Sequence, residues 1–465
     1  MQSEITRITS IELRDFKNVG YGKITLPSAV GKDFSELSSD VLGIYGQNGS
    51  GKTAVVEALF FVKLLLSGQP LPGNIVEYIS KNAAHSECIV TFYIRDEVNE
   101  LLVEYTFRLA KTADNSAKVE YEKLTYKKNS PKGWSNKSTL IEYSSEVVDQ
   151  VFSPNYRWTK AVSVQKSNKV DFAVAKKLSI RENKSFIFSD DVRKLLETSI
   201  TDFNELTLAI SALHFFAFAN LFVIRNGHTG IISLDILLPF SFKHEMENGQ
   251  ISMGDLPISL SEPTILSLEK YKVFSEIILE IDKVIRVLVP GMRLEIKEYG
   301  EQTLPDGADG MKFEVLSVRG ESKIPIKYES EGIKKILSVL HLLITMFNNT
   351  SACVVIDELD AGIFEYLLGE ILGILQDSGK GQLIFTSHNL RPLEMINKNN
   401  LVFTTTNPQN RYIKLVNVKT NNNLRDLYIR SINLGGQKEN IYESTNAFEI
   451  NRAFKKAGEK FNGKK

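Results

Sequence analysis

Cysteine is scarce: Cys88 and Cys353 are the only two among 465 residues. Two thiols give neither a disulfide framework nor a cysteine-rich zinc site, so a reducing, cytoplasmic setting is expected. No charge of one sign dominates: 56 Lys and Arg face 56 Asp and Glu, for a net charge of zero. A broadly basic nucleic-acid binder and an acidic tail protein are excluded, although a local basic patch is not. The six histidines, at 85, 214, 228, 244, 341 and 388, are scattered. Sustained heptads are missing, which excludes a long coiled-coil arm, and no internal repeat or low-complexity tract is present. The N-terminal run MQSEITRITSIELRDF holds no apolar stretch fit for a secretory signal. One uncharged run reaches membrane length, Leu206 to Ile224 (LTLAISALHFFAFANLFVI), 19 residues. A helix would put its Thr207, Ser211 and His214 on one stripe, while FFAFANLFVI equally fits a buried strand. A core or interface segment is expected, not a bilayer span.

What is present is ordinary for a soluble globular chain: 43% hydrophobic and 24% charged residues. At about 150 residues per domain the length allows roughly two to four units. ITSIELRDF and YGKITL read as a strand pair, Val41 to Tyr45 as a short apolar strand, and TAVVEALFFVKLLLSG as a helix closed by Gly68. From Ser86 to Tyr143 the period becomes two: Leu101, Val103, Tyr105, Phe107 and Leu109 share one face, as in a half-buried antiparallel sheet. Helical runs are expected at Asp190 to Leu213 and at Ile265 to Leu288, with strand-like pieces between them. The last third alternates helix and strand through SEGIKKILSVLHLLITMF, ACVVIDE, FEYLLGEILGILQDSG, QLIFTSH and LVFTTT. That alternation predicts a mostly parallel sheet.

Gly46-Gln47-Asn48-Gly49-Ser50-Gly51-Lys52-Thr53 matches G-x-x-x-x-G-K-[ST] between a strand and a helix. Glycines let the backbone N–H groups turn inward on phosphate oxygens, and the helix N-terminus favours the same anion. Lys52 would reach the β- and γ-phosphates and Thr53 would offer its hydroxyl to Mg²⁺. Ala352 to Glu358 (ACVVIDE) is an apolar strand ending in two carboxylates. Asp357 is expected to hold Mg²⁺ and Glu358 to polarise the attacking water as general base. Thirty residues on, QLIFTSH ends another buried strand in His388, placed to bond the γ-phosphate or the water.

Together with IELRDFKNV near the start, the motifs GQNGSGKT, VVIDELD and FTSHN resemble ABC-type ATPases of the SMC, Rad50 and RecF kind. Within that group the chain is similar to the bacterial AAA15 and overcoming-lysogenization-defect-like (OLD-like) ATPases. The resemblance implies an ABC-type P-loop ATPase head, α/β, with a mostly parallel sheet flanked by helices, an antiparallel β subdomain and an inserted mixed region. Ser330-Glu331-Gly332-Ile333-Lys334-Lys335, 27 residues before Asp357, stands where such proteins place their signature. Ser330 and Gly332 would then close over ATP bound by a neighbouring subunit, making the chain a homo-oligomer. The signature differs from the transporter-like LSGGQ. Ala-Gly-Ile-Phe follows Asp360, where many relatives carry a leucine–histidine pair. Gln165 is the candidate for the Mg²⁺-sensing glutamine.

The expected division is residues 1–165 as the N-lobe, 166–290 as the insertion, 291–420 as the C-lobe and 421–465 as a tail. The resemblance to stand-alone ATPases of anti-phage systems (PARIS, Septu and RloA/AbiL types) implies a sensor or platform for a separately encoded toxin or nuclease. A phage protein or nucleic acid would be its trigger. OLD-like relatives often carry a Toprim-type nuclease, but only 77 residues follow His388 here, and no HNH-like histidine cluster is present. Alternatives are a RecF-like DNA-repair ATPase and a nucleotide-bound scaffold without turnover. The tail carries lysines 455, 456, 460, 464 and 465 against Glu459. It reads as a solvated, fraying helix or as a basic patch for nucleic acid or a partner.

Overall fold

The computed structural model describes residues 4–29, 37–147, 150–165, 167–199, 204–226, 237–245, 251–416 and 423–462. The chain opens with a hairpin of β1 (Ile5–Phe16) and β2 (Val19–Thr25), then β3 (Asp40–Tyr45) leads into α1 (Lys52–Leu66). A meander follows: β4 (His85–Arg95), β5 (Glu100–Lys111), β6 (Ala117–Lys128), β7 (Ser138–Ser144) and β8 (Phe152–Ser153). Four helices come next, α2 (Asn155–Ser163), α3 (Asn168–Glu182), α4 (Asp190–Ser199) and α5 (Asn204–Ala219). They give way to β9 (Leu221–Ile224), the hairpin β10 (Leu237–Glu245) and β11 (Ile251–Ser259), then β12 (Thr264–Ser267) and α6 (Leu268–Leu288). After β13 (Arg293–Thr303), β14 (Asp309–Arg319) and β15 (Ser322–Pro325), helix and strand alternate through α7 (Glu331–Asn348), β16 (Cys353–Ile356), α8 (Glu365–Ser378) and β17 (Gln382–Thr386). The chain continues through α9 (Pro392–Met395), β18 (Leu401–Thr404), β19 (Tyr412–Ile413), α10 (Leu424–Leu434) and α11 (Ala447–Asn462).

The apolar runs that gave no alternation become the central strands. The main sheet has the order β19-β18-β3-β17-β16-β9, parallel from β18 to β9. Both of its faces are covered, which is why the middles of these strands are apolar on both sides. Leu42, Ile44, Cys353, Val355 and Ile384 point to α1 and the antiparallel sheet. Val41, Tyr45, Val354, Ile356, Leu383 and Phe385 point to α7 and α8. The antiparallel sheet has the order β2-β1-β4-β5-β6-β7-β8, and the period-two faces of β5 divide as expected. The two sheets are joined by buried polar groups that pair with one another. Buried Arg7 on β1 pairs with Asp40 on β3 at 2.9 Å, and Gln382 of β17 bonds both Asp40 and the Ile8 backbone.

Three local expectations are revised. The helix expected at Asp190 to Leu213 is two helices, α4 and α5. The uncharged run 206–224 is neither all helix nor all strand: it is most of α5, then a break at Asn220, then β9. Residues 221–224, inside the stretch 166–290, thus pair with β16 as the edge of the main sheet. The helix expected from Ile265 begins at Leu268, because Thr264 to Ser267 pair with β14 as a strand. No helix among the described residues is long and apolar enough to cross a membrane.

Candidate functional site

The parallel strands β3, β17 and β16 are adjacent, so whatever follows each of them gathers at one edge of the sheet, the usual place for a ligand in such folds. Residues 46–51 leave β3 and turn into α1. Gly46 has φ +154°, and a Cβ there would lie 1.7 Å from Thr404 Oγ1 at the end of β18. Only glycine lets the loop approach its neighbour this closely. The loop is braced from behind: Ser50 Oγ lies 2.5 Å from Thr404 Oγ1, and Tyr412 donates its hydroxyl to the Gly51 carbonyl at 2.8 Å. Lys52 is buried, and its ammonium donates to the carbonyls of Gly46 (2.8 Å) and Gln47 (3.1 Å). Burial lowers its pKa from the usual lysine value, although Asp357, Glu358 and Asp360 pull the other way.

Asp357 follows the end of β16. Its Oδ1 accepts from Thr386 Oγ1 at 2.6 Å and from Thr53 Oγ1 at 3.3 Å. Its Oδ2 is buried and has no hydrogen-bond partner. A buried carboxylate oxygen without a donor is costly, and a cation is the natural compensation. Glu358 adopts a left-handed backbone (φ +49°), held by its N–H donating to Thr386 Oγ1 at 2.8 Å. One threonine hydroxyl therefore orients both acidic residues. Asp360 accepts the N–H groups of His388 (3.0 Å) and Asn389 (2.9 Å), tying the segment after β16 to the segment after β17.

These groups share one cavity of about 460 Å³, lined by Asn48, Gly49, Ser50, Gly51, Lys52, Thr53, Asp357, Glu358 and His388, with Lys17, Asn18 and Ala54. A glycine-rich turn at the N-terminus of α1 and a lysine suit polyphosphate. Thr53 Oγ1 and the unpartnered Asp357 Oδ2 are the hard oxygen donors that Mg²⁺ prefers, so the residues present fit the ion. Gly46 and Gln47 lie behind the cavity wall, where their carbonyls hold Lys52.

Ser330 and Gly332 do not line this cavity. Ser330 is exposed and caps α7, accepting the Ile333 N–H at 3.4 Å. Gly332 is packed so closely that a Cβ would fall 2.0 Å from the Gly362 carbonyl oxygen. Gln165 is exposed in the turn between α2 and α3 and is not among the lining residues. Three residues were missed. Lys17 and Asn18 form the β1–β2 turn at the cavity mouth; no motif marks them, and only the pairing of that hairpin brings them there. Lys335, read only as the last residue of the signature segment, is 2% exposed and lies among Asp357, Glu358 and Asp360 of its own chain. Burial lowers its pKa to about 8 despite those carboxylates.

Residues 41–394 match the family described as "AAA domain, putative AbiEii toxin, Type IV TA system". No curated protein matches the chain. Among solved structures, the chain is similar to an Smc head bound to the C-terminal winged-helix domain of ScpA, with 14% identity over 88% of this chain and 97% of that one and a TM-score of 0.42. It is also similar to the Smc head with an extended coiled coil from Pyrococcus furiosus (16% identity, 88% and 96% covered, TM-score 0.39). A third is the SMC head domain from Thermotoga maritima (12% identity, 88% and 99% covered, TM-score 0.36).

Proposed function

The chain belongs to this AAA-domain family of P-loop ATPases, and we propose that it hydrolyses ATP at a site completed by a second copy of itself. The β- and γ-phosphates are bound by the amides of residues 48–53 and by Lys52, which leaves its carbonyl partners to meet them. Thr53 and Asp357 would hold Mg²⁺, which would supply charge neutralisation at the phosphates. Glu358, fixed by its left-handed backbone, takes the proton of the attacking water, and His388 bonds the γ-phosphate or that water. Ser330 and Gly332 reach the γ-phosphate of the other copy's nucleotide. In support, the exposed start of α7 lies outside its own chain's cavity.

The observation that carries the reading is the convergence in one cavity of Lys52, Glu358, His388 and a buried Asp357 oxygen without a partner. Glu358→Gln should keep ATP affinity and lower turnover by at least about a hundredfold, the contribution expected of a general base. Turnover at the wild-type rate would remove Glu358 from that role. The biological setting proposed is control of a separately encoded toxin or nuclease in anti-phage defence, in the cytoplasm, with ATP binding or hydrolysis holding and releasing it. The toxin–antitoxin wording of the family description supports that setting.

A further inference from the structure

The last helix of the chain buries none of its described side chains. From Glu443 to Ala457 no side chain is buried, and Phe448 and Phe454 are 73% and 77% exposed. Yet α11 is strongly patterned. Ala447, Ile450, Phe454 and Ala457 fall on one face at steps of three and four, and Arg452, Lys455 and Lys456 fall on the other together with Phe448. None of these cations is in an ion pair among the described residues. A solvated helix has no use for two exposed phenylalanines, and a two-faced helix of this kind is built to lie on another surface.

Its root lies against the nucleotide loop. Glu439 binds the side chains of Asn407 and Asn410, and the Asn440 carbonyl accepts the Thr406 N–H at 2.8 Å. Four residues before α11 the chain reaches the phosphate loop itself: the Glu443 N–H donates to Gln47 Oε1 at 3.0 Å, and Gln47 Nε2 donates back to the Glu443 carbonyl at 3.4 Å. The Gln47 carbonyl is also a partner of Lys52. The helix therefore starts from the side of the molecule that binds phosphate.

A matching surface exists beside the signature. Tyr328, two residues before Ser330, is 70% exposed, and Phe364, two residues after the Gly362 that packs on Gly332, is 68% exposed. Tyr366 stacks on Phe364 with ring centroids 5.6 Å apart, and is itself half exposed. Exposed Glu331 and Glu365 border these rings and have no ion pair among the described residues; the cations nearby, Lys327 and Arg391, sit over Tyr328 and Tyr366. Phe364, whose ring no cation covers, can seat the apolar stripe, and Glu331 and Glu365, without an ion pair among the described residues, can meet its three cations.

We propose that α11 of one copy docks on the Tyr328, Phe364 and Tyr366 surface of a second copy. The inference rests on the shared-site reading, which sets the phosphate loop of one copy against Ser330 of the other. In that arrangement, the root of α11 and the aromatic surface are neighbours across one continuous interface. The Gln47–Glu443 bonds join the helix to the loop that ATP occupies, so docking accompanies nucleotide binding.

The test uses full-length protein carrying Glu358→Gln, to hold ATP. One sample also carries Phe454→Cys and the other Phe364→Cys; native Cys88 and Cys353 are buried and silent to mild oxidation. Mixed with ATP and Mg²⁺ and oxidised, they should give a disulfide-linked dimer. Phe454→Cys mixed with Val98→Cys, a residue 87% exposed at the tip of the β4–β5 hairpin, should not. Lys455→Glu with Lys456→Glu should weaken the ATP-held dimer about tenfold or more in sedimentation, leaving ATP affinity per chain unchanged. Equal cross-linking at both sites would overturn the proposal. So would an ATP-held dimer indifferent to the helix substitutions, including one whose helix binds anionic vesicles or single-stranded DNA instead. If the Glu358→Gln protein with an intact helix forms no dimer with ATP, the shared-site reading fails and the docking proposal fails with it.

Discussion

Asp357 ends its strand with one carboxylate oxygen accepting two hydroxyls and the other accepting none. Around it the structure collects three further charges on the same chain, Lys52, Glu358 and Lys335, and the last has a measurable signature. The Lys335 ammonium titrates near 10.5 when unfolded and near 8 when folded, because burial disfavours the charge. Between those values the unfolded chain binds more protons than the native one, so stability rises as pH rises from 8 to 10.5, and the penalty is fully present below 8. In urea unfolding without nucleotide, wild type should gain about 2 kcal/mol relative to Lys335→Met between pH 7.5 and 9.5. Parallel pH profiles for the two proteins would show that Lys335 carries no such penalty. The phosphate-loop residues were legible in the sequence because their chemistry is local: glycines, lysine and threonine act through the backbone they sit in. Lys335 was not, since its burial against the Asp357 segment depends on how α7 packs.

At the scale of elements, the close approach of α7 to the loop after β16 is the joint between signature and acidic strand. Gly332 against the Gly362 carbonyl leaves no room for a methyl group. Gly332→Ala should cost about 1 to 3 kcal/mol, as overpacking does in tight contacts, and lower the melting temperature. An unchanged melting temperature would mean that the joint is loose in solution. The parallel strands were readable from their short apolar runs, and the antiparallel sheet from its period of two. The break in the run 206–224 was not. It is set by groups distant in sequence: the Asn220 carbonyl accepts the Cys353 N–H at 2.8 Å, and its side chain accepts Lys243 Nζ at 2.6 Å. No local propensity announces those partners.

For the whole molecule, the balanced charge conceals an uneven surface. Exposed Glu331 and Glu365 stand beside the signature, while Arg452, Lys455 and Lys456, without an ion pair among the described residues, stand on a terminal helix rooted at the phosphate loop. The cavity of one chain is lined by Lys52, Thr53, Asp357, Glu358 and His388, but not by Ser330. Completion by a second copy is the central claim, and a mixing experiment tests it most directly. Lys52→Ala and Ser330→Arg proteins should each be inactive alone. Mixed in equal amounts, half of the dimers carry one of each copy and so one intact site. Turnover should return to about a quarter of the wild-type rate. Activity of Ser330→Arg alone at the wild-type rate, or no recovery on mixing two folded variants, would contradict a shared site.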